Sequence, residues 1–206
     1  GADTWRHVAF IEKPRGDGGL RWLMSSDVCK HCAPAACLDV CPTGALFRTE
    51  FGTVVVQEDI CNGCGMCQPA CPFGVIDISM TDGKAHKCTL CYDRLTDGLE
   101  PACAKACPTD SIQFGNVADL RERASKRVDD LQAKGLDAYV YGTEETGGTG
   151  GIGQLGASFI LLNEPSTYNL PEAPSLPQER TLPGFLAVAV AAAALSVATV
   201  LSLRRD

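Results

Sequence analysis

The sequence predicts an α+β protein: a body of repeated cysteine-centred units joined by short β-hairpins, followed by a single C-terminal transmembrane helix. Three observations carry this expectation. All twelve cysteines fall between positions 29 and 107, in three sets of four. Between consecutive sets lie two short apolar strands separated by a Gly-containing turn. The stretch from Gly184 to Leu203 is 20 residues without a charge.

The 206 residues allow one compact domain plus appendages. The formal charge of −7 argues against a nucleic-acid partner. Residue 1 is Gly, not Met, and no signal peptide is visible, so the sequence reads as processed or as part of a longer chain.

In chain order, Trp5 to Glu12 reads as a strand, followed by the Gly-rich loop PRGDGG and then Arg21 to Met24. From Cys29 to Gly115 one unit recurs: a Cys set, a Cys-Pro exit, a strand, a turn and a second strand. The hairpins are ALFRT with TVVV and VIDISM with KAHK, the latter around Asp82-Gly83. The Pro after the fourth Cys redirects the chain, because it fixes φ and lacks an N–H. Between the third and fourth Cys a short helical turn is expected.

Val117 to Lys134 is a predicted helix, with Asn116 as its cap and Gly135 as its stop. Leu120, Ala124, Val128 and Leu131 share one face, which either docks another protein or covers the chain's own core. In Thr143 to Gly156, Gly151, Gly153 and Gly156 fit a G-x-G-x-x-G pattern. The strand-like ASFILL that follows discounts nucleotide binding, because a phosphate cradle opens a helix. Five prolines (165, 171, 174, 177 and 183) make residues 163 to 183 an expected extended segment lying along another surface. The expected divisions are a repeated Cys-rich body over 1–115, a docking helix and strand over 116–142, a Gly/Pro-rich extended segment over 143–182, and a membrane helix with a short tail over 183–206.

Twenty uncharged residues span the hydrocarbon core of a bilayer. Seven of them are Ala, and Ser196, Thr199 and Ser202 recur every three residues. Small and hydroxyl-bearing side chains suit packing against another membrane protein. Arg204 and Arg205 follow the span and Arg180 precedes it, so the C-terminus is expected in the cytoplasm and the Cys-rich body on the other side of the inner membrane.

The cysteine sets are 29, 32, 37, 41; then 61, 64, 67, 71; then 88, 91, 103, 107. Tight C-x-x-C pairs bring thiolates to one metal centre, whereas a disulfide inside such a pair closes too small a loop to stabilise much. Cys61-x-x-Cys64-x-x-Cys67-x-x-x-Cys71-Pro72 is the bacterial ferredoxin motif for a [4Fe–4S] cluster, in which the fourth Cys serves a second cluster. Structural zinc is the alternative, and three Cys-Pro exits argue against it. His31 lies within the first motif. A Rieske-type role would need a second His, and His7 and His86 are distant in sequence, so His31 reads as a packing or ligand-supporting residue. Lys30, Lys87 and Arg94 flank the motifs. Each reads either as a charge that raises a cluster's potential or as a solvated surface residue. Asp27, Asp39, Asp59 and Asp93 adjoin the motifs without catalytic spacing, and no catalytic residue is assigned.

DVCKHCAPAACLDVCPTGALF, DICNGCGMCQPACPFGV and HKCTLCYDRLTDGLEPACAKACPTDSIQFG resemble successive motifs of the iron–sulfur subunits of membrane-bound molybdopterin oxidoreductases. Within that group the similarity is greatest to the beta subunit of respiratory formate dehydrogenase. It continues through the helix at 117 to 134, the Gly-Gly-Thr at 147 to 149, FILLNEP at 159 to 165 and the terminal span. The resemblance implies ferredoxin-like [4Fe–4S] modules with pseudo-twofold symmetry, a molybdopterin catalytic partner carrying molybdenum or tungsten, and a membrane partner, a cytochrome b-type or other quinone-reactive subunit. The same conduit could serve a hydrogenase or a sulfur- or nitrogen-oxyanion reductase; a soluble polyferredoxin or redox sensor is the alternative class.

The ferredoxin crossover pairs the first two sets. One cluster is expected on Cys29, Cys32, Cys37 and Cys71, the other on Cys61, Cys64, Cys67 and Cys41. In the third set, Cys88, Cys91 and Cys103 hold three corners of a cluster and Cys107 serves another. The family normally has four motifs and this sequence shows three, so the fourth is expected before Gly1. The chain then touches at least three clusters, and four if that motif exists. Local closure of Cys88, Cys91, Cys103 and Cys107 on one cluster is the competing expectation.

Overall fold

The computed structural model describes residues 1–14, 18–143, 155–177 and 181–203. The Gly-Gly-Thr at 147 to 149, Gly151, Gly153, and the arginines at 180, 204 and 205 lie outside them, and with them the charges on which the expected membrane orientation rests.

The described chain opens with a long hairpin. β1 (Arg6–Pro14) pairs antiparallel with β2 (Leu20–Val28), from Arg6 opposite Val28 to Pro14 opposite Leu20. Strand alternation sends Leu23 and Ser25 of β2 inward and leaves Trp22 and Met24 exposed. Val28 is also buried, and β2 therefore delivers the backbone directly to Cys29.

The two expected inter-set hairpins form. β3 (Leu46–Arg48) pairs with β4 (Val54–Val56), and β5 (Asp77–Ile78) pairs with β6 (Ala85–His86). Their turns follow one plan. Thr49 N–H donates to Thr53 O and Gly52 N–H to Thr49 O; Ser79 N–H donates to Lys84 O and Gly83 N–H to Ser79 O. The helical turns expected before each fourth Cys are α1 (Ala36–Asp39), α2 (Cys67–Ala70) and α4 (Ala102–Lys105), while α3 (Tyr92–Thr96) lies in the insertion of the third set. α1 packs against α2. Ala35, Leu46, Val54, Ile76 and Ala85 close an apolar core between the first two sets.

α5 (Val117–Gln132) starts where Asn116 Oδ1 accepts from Ala118 N–H at 2.9 Å. It ends in a Schellman motif: Gly135 N–H donates to Gln132 O, Leu136 N–H donates to Leu131 O, and Gly135 has φ +77°. β7 (Tyr139–Tyr141) pairs with β8 (Phe159–Leu161). The apolar stripe of α5 is occupied within the chain, because Ala124, Val128 and Leu131 pack against Ala138 and Val140.

The proline-rich segment departs from the expected extended form at its start. Pro165–Tyr168 is a 3-10 turn, with Pro at its first helical position where no N–H is needed. The segment then lies on the chain's own core. Tyr141, Tyr168 and Leu170 pack with Leu23 and Phe73, and Tyr141 Oη donates to Pro171 O at 2.7 Å. α6 (Thr181–Leu203) is the one described helix long and apolar enough to cross a membrane by length and composition. Its Ser196 and Thr199 hydroxyls bond to Ala192 O and Leu195 O of the same helix, each at 2.8 Å. In an apolar surrounding a hydroxyl satisfies itself on the preceding turn.

Candidate iron–sulfur sites

In the C-x-x-C that opens each set the chain turns its backbone toward the first sulfur. The third residue of the tetrad does this in a left-handed conformation: φ is +44° at His31, +71° at Gly63 and +56° at Leu90. His31 N–H lies 3.4 Å from Cys29 Sγ, and Leu90 N–H lies 3.3 Å from Cys88 Sγ. Ala85 N–H, arriving from β6, reaches Cys61 Sγ at 3.5 Å. Gly63 also meets a close neighbour: a Cβ there would stand 2.1 Å from Gly83 O in the β5–β6 turn.

The first two sets assemble around two cavities. One is lined by Cys29, Cys32, Cys37 and Cys71, the other by Cys41, Cys61, Cys64 and Cys67. Each gathers three thiols of one set and the last of its neighbour. Burial pushes the Cys32 thiol up to about 12, helped by Cys29 and Cys71 beside it. Burial and then Cys29 push Cys37 up to about 12 as well. Cys67 is raised by burial, with Cys61, Cys64 and Cys41 adding to the effect. Such crowded, desolvated thiols hold their protons until a metal displaces them.

Two of the Cys-Pro exits, those of Cys41 and Cys107, treat sulfur differently. Burial pushes the Cys41 thiol up, but the N–H groups of Leu46, Thr43 and Ala45 and the Thr43 hydroxyl outweigh it and hold the thiol low. At Cys107 the hydroxyls of Ser111 and Thr109, with the N–H groups of Ile112 and Thr109, bring the thiol down to about 6. The offsets match: two residues on for the hydroxyl, five residues on for the amide. Cys107 Sγ lies 3.3 Å from Ser111 Oγ and 3.6 Å from Thr109 Oγ1, at the surface. Cys88 is buried with Val28 against Cys29, and Arg6 reaches Cys103 Sγ at 3.4 Å.

The reading of Lys30 and Lys87 as solvated surface residues is corrected. Both are buried, at 1% and 2% exposure. Lys30 pairs with Asp27 and stands over the rings of Phe73 and Phe159. Lys87 points at Cys29 Sγ, 3.6 Å away. Arg94 is half-buried and donates to Glu100 O at 2.9 Å. Of the other histidines, His86 bonds Asp82 at 2.8 Å and His7 is exposed on β1.

Several contributors carry no local sequence signal. Arg48 of β3 clamps the first loop through Cys32 O at 2.7 Å and the neighbouring Ala33 O. Gly156 N–H donates to Lys30 O at 2.8 Å, so the residues leading into β8 brace the same loop. Arg6 lies 97 residues from its Cys103 contact. Spacing rules cannot see such partners, which only packing brings together.

Two buried side-chain donors among the described residues lack a partner, His31 Nε2 and Arg6 Nε. Both belong to residues beside cysteine sulfur. Four thiols lining each cavity, amides aimed at sulfur and unspent donors fit thiolate-held [4Fe–4S] clusters.

Comparison with known proteins agrees with that fit. A family described as a 4Fe-4S dicluster domain matches residues 20–117. The nitrate-inducible formate dehydrogenase iron–sulfur subunit of Escherichia coli (strain K12) is 42% identical over 150 residues, covering 72% of this chain and 51% of its own length. The formate dehydrogenase iron–sulfur subunit of Haemophilus influenzae is 38% identical over 186 residues, 88% of this chain and 57% of its own. The B subunit of the anaerobic dimethyl sulfoxide reductase of E. coli is 44% identical over 95 residues, 46% of each sequence. The chain spans about half the length of these curated relatives. It therefore carries a ferredoxin-like 4Fe-4S dicluster domain and is a homologue, at 38–42% identity, of formate dehydrogenase iron–sulfur subunits.

Proposed function

We propose that this chain is the electron-transfer subunit of a membrane-bound complex. It passes electrons from a molybdenum- or tungsten-pterin catalytic subunit that oxidises formate to a membrane subunit that reduces quinone. The observation that carries this reading is the crossing of thiols between two cavities. One cluster takes Cys29, Cys32, Cys37 and Cys71; the other takes Cys61, Cys64, Cys67 and Cys41, related to the first by pseudo-twofold symmetry. When bound, each cluster supplies a one-electron redox centre. The chain's own residues hold iron by thiolate, direct amides at sulfur, and exclude water with Ala35, Leu46, Val54 and Ile76.

Cys107 shares the hydrogen-bonding offsets of Cys41, the crossing ligand of the first set. By the ferredoxin crossover, Cys107 serves a cluster other than that of Cys88, Cys91 and Cys103, one whose remaining ligands lie outside these twelve cysteines. Iron analysis tests this. Local closure of the third set gives about twelve irons in three clusters, and a fourth cluster gives about sixteen.

The body over 1–115 holds the clusters, 116–142 and 143–182 brace and dock it, and 183–206 anchors it in the inner membrane. The body lies on the extracytoplasmic side, and the helix packs on the membrane partner through the side bearing Ser196, Thr199 and Ser202. Deletion of 183–206 should release the complex from membranes and abolish quinone reduction; a complex still bound and fully active contradicts the anchor.

The similarity to a dimethyl sulfoxide reductase subunit favours one second reading, the same conduit running toward a reducing catalytic subunit. Metal analysis and substrate titration of the purified complex separate the readings. Formate oxidation predicts molybdenum or tungsten and clusters bleached by formate. Clusters unmoved by formate but reoxidised by an S-oxide favour the second, and nickel indicates a hydrogenase.

A further inference from the structure

Lys87 is 2% exposed, and its Nζ has three acceptors: Val54 O, Cys88 O at 3.0 Å and Cys29 Sγ at 3.6 Å. An ammonium has three N–H groups and no lone pair, so three acceptors match the charged form. None of the three is a carboxylate. A buried cation without a counter-anion is strongly disfavoured, so the site calls for negative charge at Cys29. Lys30, equally buried, is different, because Asp27 neutralises it.

His31 supplies a second donor to the same place. It is 5% exposed and lines the cavity of Cys29, Cys32, Cys37 and Cys71. Its Nδ1 accepts from Val54 N–H at 3.1 Å, which leaves the imidazole proton on Nε2. Nε2 is buried and has no protein partner. A single residue of β4, Val54, thus orients both groups, His31 through its N–H and Lys87 through its C=O. No cationic or imidazole side chain lines the cavity of Cys41, Cys61, Cys64 and Cys67 among the described residues.

We propose that Lys87 and His31, both held by Val54, are the positioning residues that raise the reduction potential of the Cys29 site above that of the Cys61 site. The proposal rests on the reading that these thiols hold [4Fe–4S] clusters. Reduction adds one electron, drawn from the reductant of the titration, and no proton or ligand moves. The added negative charge meets a fixed ammonium and a fixed N–H, which favour the reduced form.

The test is a potentiometric titration of the purified holo-complex followed by EPR, with iron counted in each sample. In Lys87→Met one midpoint, that of the signal altered by Cys71→Ser, falls by about tenfold in reduced-to-oxidised ratio at fixed potential, about 59 mV for a one-electron couple. His31→Asn lowers the same midpoint; Asn is chosen because it tolerates a left-handed backbone. Lys87→Arg keeps the wild-type midpoint, and Lys126→Met on exposed α5 moves none. Should Lys87→Met lose iron, loss shared by Lys87→Gln but not by Lys87→Arg supports the charge requirement. Loss in all three assigns Lys87 to packing and overturns the proposal. Unmoved midpoints in fully loaded Lys87→Met and His31→Asn also overturn it while leaving the cluster reading intact. Absence of iron and of any cluster signal in the wild-type complex removes that reading itself.

Discussion

Replacing Gly63 by Ala tests how closely the Cys61 loop is built against its neighbour. Gly63 has φ +71°, and an Ala held there costs about 1–2 kcal/mol. The added Cβ would stand 2.1 Å from Gly83 O, so the two segments must separate by more than about 1 Å to reach ordinary contact. The atom met is backbone, and no rotamer change relieves it. Forced separation of a packed site adds about 1–3 kcal/mol. Gly65→Ala is the matched control. It has φ +75°, but its nearest neighbour is Ile78 Cγ1 at 4.0 Å, so only the backbone strain applies. The difference of about 1–3 kcal/mol corresponds to about 5- to 150-fold more open loop in Gly63→Ala. The assay is iron release from the purified protein to a chelator, followed optically. Gly63→Ala should lose iron faster than Gly65→Ala by that factor, with the loss beginning at the Cys41, Cys61, Cys64 and Cys67 site. Equal release rates in the two variants would refute the close-approach argument.

Three further outcomes are expected. Burial holds the His31 pKa at about 3 against an ordinary 6.5, so the unfolded state takes up more protons between those values. The stability linked to His31 is therefore complete above pH 6.5 and lost as pH falls toward 3, by about 2 kcal/mol at pH 5; His31→Asn should flatten the decline in unfolding midpoint between about pH 7 and 5, and parallel declines would contradict it. Cys41→Ser and Cys71→Ser should alter the EPR signals of different clusters, Cys41→Ser that of the Cys61 site and Cys71→Ser that of the Cys29 site; one shared spectrum would disprove the crossing. Tyr141→Phe removes the 2.7 Å bond to Pro171 O from a side chain 1% exposed and should lower stability by about 1–3 kcal/mol in a thermal melt, whereas an unchanged melt would show that bond to be idle.

Much of this protein is written locally. A C-x-x-C spacing can be met only by a tight turn, and a Pro after the fourth Cys forces an exit; the helical turns before Cys41, Cys71 and Cys107 follow from that. The hairpins at Leu46 to Val56 and Asp77 to His86, the Asn116 cap and the Gly135 stop are likewise short-range consequences of residue type. The length and apolarity of α6 are legible without any fold.

What the sequence leaves open is decided over distance. Whether the α5 stripe faces a partner or the chain itself depends on where β7 lies, and Ala138 and Val140 meet it. Lys30 and Lys87 look like surface charges because lysine usually is one; only enclosure by β4, Phe73 and Phe159 makes them buried cations. His31 is an isolated histidine in sequence, and it becomes an oriented donor only because Val54, 23 residues on, fixes its tautomer. The ferredoxin motif already predicts that the first two sets exchange their last thiols, and the packing of α1 against α2 is what sets Cys41 and Cys71 in the neighbouring cavities. Local rules act through bonds a few residues long, whereas burial and sulfur environment depend on which segments the folded chain brings into contact.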